Sequence, residues 1–157
     1  MTDGPDNPAV AGIAASGIDY RVVEHGPVRS LAEAAAVRGM AVADVVKTIV
    51  VRVADGDFRF VLVPGDRVIS WPKLRALLGV TRMSMPDAAT AKAATGFERG
   101  TITPFGSTTA WPVIADERIR GREITLGGGR HGVALAVGAD AAIAALEATV
   151  ADISDQE

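Results

Sequence analysis

The sequence predicts an α+β fold: a single compact domain with a mixed, mostly antiparallel, partly barrel-like sheet and surrounding helices. Three observations lead there. Short alanine-rich segments carry helix start and stop signals, β-branched segments are joined by tight-turn signals, and the two kinds are interspersed without the regular strand–helix–strand alternation of a parallel fold. A length of 157 residues suits one domain, and neither an internal repeat nor a long linker interrupts it. Residues 1–8 read as a flexible tail, 9–150 as the folded domain and 151–157 as a C-terminal tail.

Taken in order, Pro8 to Ser16 forms a modest helix stopped by Gly17, and Tyr20 to Glu24 has strand character. Ser30 and Glu33 stand at capping-box spacing before Leu31–Arg38, and Gly39 is placed to end that helix. Val45 to Val53 is dominated by β-branched residues. Asp55-Gly56 turns it into a hairpin with Phe58–Val63. Ser70 caps a helix with Pro72 in its first turn, expected to carry Leu74, Leu77 and Leu78 inward before Gly79. A second alanine-rich helix runs from Pro86 or Asp87 to Thr95. Strands follow at Trp111–Ala115, Glu123–Leu126 and Val133–Val137, and a helix from Ala139 to Ala148 presents Ile143 and Leu146 on one face.

The composition excludes several classes of function. Hydrophobic residues make up 48% of the chain against 22% charged, which suits a packed globule. There is no cysteine, so disulfides, thiolate catalysis and cysteine–metal sites are excluded, and a cytoplasmic location is the default expectation. No apolar run approaches the ~20 residues of a membrane span, and the acidic, turn-rich start does not resemble a signal peptide. A net charge of −3 argues against a protein that coats nucleic acid by bulk attraction, though not against one that grips only an end. The Arg118-Ile119-Arg120-Gly121-Arg122 cluster reads either as a solvated hairpin edge or as a local phosphate contact.

The familiar catalytic sets are absent. His25 and His131 are the two histidines, no HExxH or carboxylate-rich metal spacing occurs, and neither a P-loop nor a nucleophile elbow is present. No metal or other cofactor is therefore expected. Three features remain. Lys47 interrupts an apolar strand run; it either snorkels from a strand end or sets one compact positive charge at a pocket mouth. Thr95 to Gly106 holds three glycines and a proline in twelve residues, either an irregular connection or a loop whose N–H groups converge on an oxygen. Gly127 to Gly132 is either a glycine-rich turn or a pocket wall that lets a substrate approach main chain. His131 alone reads as a surface or structural residue as readily as a catalytic one.

In this order the three features resemble the YbaK family, also called the prolyl-tRNA-synthetase-associated editing domain. The resemblance rests on Lys47-Thr48-Ile49-Val50-Val51, Val61-Leu62-Val63-Pro64-Gly65, Thr95-Gly96 through Gly100 to Pro104-Phe105-Gly106, and Gly129-Arg130-His131-Gly132, followed by Asp140 at the last helix. It spans about Tyr20 to Leu146. Many relatives have serine at Thr103 and arginine at His131. The resemblance implies a freestanding hydrolase that removes a wrong amino acid from the 3′ end of tRNA, with Cys-tRNA(Pro) or Ala-tRNA(Pro) as typical substrates and prolyl-tRNA synthetase as an associated partner. It implies Lys47 as the catalytic residue. Gly100, Thr101 and Ile102 would form the amino-acid pocket and oxyanion contacts. Thr103, Pro104, Phe105, Gly106, Gly129, Arg130 and His131 would line the rest of the substrate site. The competing reading is a non-catalytic module that binds charged tRNA or a synthetase through the same pocket.

Overall fold

The computed structural model describes residues 7–157, so the expected tail at residues 1–6 lies outside the described residues. Asn7 and Pro8, read from sequence as tail, belong to the fold. Asn7 is fully buried, caps helix α1 (Pro8–Ser16) by accepting from the Ala9 N–H at 3.0 Å, and donates through Nδ2 to the Gly128 carbonyl at 2.9 Å. Gly17 ends the helix in the left-handed region, as expected.

The remaining elements are β1 (Tyr20–Glu24), α2 (Leu31–Arg38), β2 (Lys47–Ala54), β3 (Asp57–Val63), β4 (Arg67–Ile69), α3 (Trp71–Leu78), α4 (Ala88–Thr95), β5 (Val113–Asp116), β6 (Glu123–Gly127), β7 (Val133–Gly138), α5 (Ala139–Leu146), β8 (Thr149–Ala151) and β9 (Ser154–Gln156). Ser30, Ser70 and Asp87 cap α2, α3 and α4, each accepting from the N–H three residues on. Glu33 completes a variant of the expected box by accepting from the Arg29 N–H rather than that of Ser30. In α3 the inward stripe is Trp71, Leu74 and Leu78, at helical spacing. Leu77 lies off that stripe and is exposed, contrary to expectation.

Three sheets are formed, in the orders β1-β7-β6, β2-β3-β5-β8 and β4-β9. Most pairings are antiparallel; β5 runs parallel to both β3 and β8. A parallel bridge between Val45 and Thr125 joins the first two sheets, and the sheets do not close into a barrel. The expected C-terminal tail at 151–157 is instead structural: Ala151 closes β8 against Asp116, and Ser154–Gln156 pair with Ile69–Arg67. Sequence alone hides these strands because three residues carry no readable period and their partners lie some 35 to 90 positions away.

β3 shows why the domain is stable. Phe58, Phe60 and Leu62 enter a core shared with Ile13, Phe97, Phe105, Ile124 and Leu135, while Val61 and Val63 enter a second core with Leu74, Ile114 and Ile153. Both faces of the strand are dry, and each such side chain contributes about 1.5–3 kcal/mol relative to exposure. The edge between β2, β6 and α2 is where this packing stops short and leaves a cleft.

Candidate active site

A cleft of about 450 Å³ opens between α2, the start of β2, the end of β6 and the loop after α4. Helix α2 supplies Leu31, Ala34 and Arg38, one face at spacings of three and four. Lys47 and Thr48 come from β2, Gly127 from β6, and Gly100 and Ile102 from the loop. The volume suits a small-molecule group. Three cations line it (Arg29, Arg38 and Lys47) and no carboxylate does, so the cleft favours an anion or a developing negative charge.

Lys47 stands at the head of β2, opposite Val63 in register. Its stem is half-buried along the cleft, and its ammonium donates to the main-chain carbonyl of Arg67. One of three N–H donors is thereby committed and two remain. Partial burial pulls its pKa below the ordinary lysine value, with the charges of Glu157 and Asp66 opposing that shift.

The loop is held from beneath rather than by side chains in the cleft. Thr101 is buried, its hydroxyl donating to the Glu98 carbonyl at 2.7 Å and its own carbonyl accepting from the Gly129 N–H at 3.0 Å. Thr103 is fully buried, and its hydroxyl has no partner. Pro104 and Phe105 are buried, with Phe105 in the main core. Gly106 packs so closely on α1 that a β-carbon there would sit 2.0 Å from the Pro8 carbonyl oxygen. Gly129 faces Asn7 in the same way, at 2.6 Å. Arg130 is half-buried beside this turn, and its carbonyl accepts from Val133. His131 is largely exposed, 3.7 Å from Glu98 across the loop, and its ring lies where Gly100 would carry a side chain.

Of the residues named from sequence, then, the structure brings Lys47, Gly100 and Ile102 to one cleft. Thr101, Thr103, Pro104, Phe105, Gly106 and Gly129 support the loop, and Arg130 and His131 flank it. Sequence reasoning missed Arg38, whose guanidinium donates to Thr125 Oγ1 at 2.9 Å and faces His25 Nε2 at 3.4 Å. Its Nε is buried without a partner, and burial lowers its pKa. An arginine one residue before a C′ glycine reads from sequence as a helix-end charge, which concealed its place in the cleft. The Arg118–Arg122 cluster is drawn into internal ion pairs: Arg118 contacts Asp116 and Asp152, and Arg122 contacts Asp44. Among the described residues, no group of three or more His, Asp or Glu is placed to hold a metal ion, and no helix is long and apolar enough to cross a membrane.

Fold and cleft together define an α+β domain whose site is a cationic recess walled by a glycine-rich loop. A match to the aminoacyl-tRNA editing domain model over residues 25–143 covers most of the chain, and the protein belongs to that family, the YbaK family. Two solved structures share its fold over nearly their whole length. One is a candidate trans-editing enzyme for prolyl-tRNA synthetase, 26% identical, with a TM-score of 0.87, 94% of this chain and 95% of the other covered. The other is the hypothetical protein APE2540, 27% identical, with a TM-score of 0.86 and coverage of 94% and 99%. No curated protein matches the sequence.

Proposed function

We propose that this editing domain is a freestanding deacylase that hydrolyses the ester joining a wrong amino acid to the terminal ribose of tRNA. The observation that carries the reading is the meeting of Lys47 with Gly100 and Ile102 in one cleft. An ester needs no enzyme-bound nucleophile. Water adds to the carbonyl carbon, the ester C–O bond breaks, and the ribose oxygen leaves with a proton. The products are free amino acid and tRNA. The protein's part is to hold the ester and to stabilise the oxyanion. Lys47 offers two uncommitted N–H groups for a phosphate or that oxyanion, and main chain at Gly100 and Ile102 shapes the acyl pocket. No histidine or carboxylate lines the cleft, which favours a substrate hydroxyl as the group that orients the water.

The substrate tRNA in this reading is tRNA(Pro), carrying alanine or cysteine, with prolyl-tRNA synthetase as an associated partner. The likeness to a candidate trans-editing enzyme for that synthetase supports it. Single-turnover deacylation across a panel of aminoacyl-tRNAs tests the proposal. Release of alanine or cysteine from tRNA(Pro), with correctly charged Pro-tRNA(Pro) spared, is expected. Binding of the charged tRNA without release from any of them would identify a recognition module instead.

A further inference from the structure

The ammonium of Lys47 rests on the carbonyl of Arg67, and Arg67 belongs to a strand of three residues whose sheet partner is β9 alone. The Arg67 side chain turns back onto that partner. Its Nε donates to Ser154 Oγ at 2.7 Å and its Nη2 to the Ser154 carbonyl at 3.0 Å. The Ser154 hydroxyl, thus used as an acceptor, donates its one hydrogen to Asp116 Oδ2 at 2.6 Å. Asp116 and Ser154 are both fully buried. The carboxylate also accepts from the Ile153 N–H at 3.3 Å, the Arg118 N–H at 3.0 Å and the Arg118 guanidinium at 3.1 Å. A carboxylate taken out of water holds its donors tightly, so this node is the stiff end of the chain of contacts. The connectivity runs Asp116–Ser154–Arg67–Lys47, from a buried anion to the cleft.

We propose that Arg67, Ser154 and Asp116 are positioning residues for the deacylation, a polar clasp that sets the Lys47 ammonium through the β4 carbonyl. The C-terminal strand is then part of the working site although it does not line the cleft. This inference rests on Lys47 acting in the reaction. A displacement of about 1 Å at such a group can cost roughly a hundredfold in rate, whereas a clasp that merely stabilises the fold would leave the kinetics of the folded protein untouched.

The test uses Arg67→Ala and Ser154→Ala in the full chain beside wild type and Lys47→Ala. The readouts are kcat and KM for deacylation and an NMR titration of the Lys47 side chain. Arg67 is half-buried at the surface, so its variant keeps the test alive where Ser154→Ala fails to fold. The expected result is a fall in kcat of tenfold or more with KM within about twofold. The Lys47 titration should also move up toward ordinary lysine as the side chain is freed to water. Folded clasp variants with unchanged kcat and an unchanged Lys47 titration, beside an inactive Lys47→Ala, would overturn the clasp alone. Full activity in Lys47→Ala would instead remove the reading of Lys47, and the clasp with it.

Discussion

Gly127 and Ile102 meet main chain to main chain: a β-carbon on Gly127 would lie 2.4 Å from the Ile102 carbonyl oxygen and 3.0 Å from that of Thr101. Both residues line the cleft, so this contact sets the separation between the end of β6 and the loop. The obstacle is backbone, which cannot rotate away as a side chain would.

Gly127→Ala should therefore displace the loop. Overpacking of this kind costs about 2 kcal/mol, which lowers Tm by roughly 4–8 °C in a domain of this size. Deacylation should fall further than stability explains. Gly26→Ala, where a β-carbon meets open space, is the control and should melt as wild type. Matching melting curves for the two variants would show that the loop yields freely.

Lys47→Ala should fold normally, because a half-buried side chain at a strand end is lost without opening either core. Removal of one transition-state contact typically costs about 10²–10³ in rate. Circular dichroism and single-turnover deacylation measure the two effects separately. A folded variant with wild-type turnover would exclude Lys47 from the chemistry.

Gly100→Ala probes the loop from its other side. Gly100 has φ of +89°, and a β-carbon would stand 3.5 Å from His131 Cε1, an ordinary contact. The cost is thus backbone strain of about 1 kcal/mol or more, not collision. The fold should survive while activity drops sharply. Thr108→Ala, at an exposed position beyond the cleft, should be mild. Equal, small effects on turnover at both positions would make the loop a connection only.

The features legible in sequence were those with local causes. Ser30, Ser70 and Asp87 announce their helices because the cap and the N–H it binds are three residues apart. Asp55-Gly56 announces the β2–β3 hairpin for the same reason. Lys47 stood out because a charge among β-branched residues breaks the pattern. Arg38 did not, since an arginine near a helix end is ordinary and only Thr125, 87 residues on, gives it a place in the cleft. Thr103, Phe105 and Gly106 were legible as a motif, but their burial beneath the loop depends on α1 and the core, which no spacing records.

Asp152 gives the stability a pH dependence whose sign is set. Hydrogen bonds from Arg118 first, and Lys73 second, hold its pKa at about 2. An ordinary aspartate titrates near ~3.9. The folded value is the lower one, so the contribution is fully present above about pH 4 and is lost as the pH falls toward about 2. Tm measured from pH 5 to pH 2 should fall less steeply for Asp152→Asn than for wild type. Parallel curves would show that Asp152 is unpaired in solution.

The strand order also has a consequence for when the protein becomes active. β2 and β3 are contiguous and close across two residues, an event of microseconds. β5 joins them only from residue 113, β8 from 149 and β9 from 154, and such distant pairings are slow to form. A ribosome delivers the chain N-terminus first. With the clasp as proposed, a nascent chain that already displays α2, the β2–β3 hairpin and the glycine loop still lacks the strand that steadies Lys47. Editing competence would then arrive with the last few residues to be translated, as a late, all-or-none event, and a ribosome-stalled chain short of residue 154 would hold most of the fold but little of the activity.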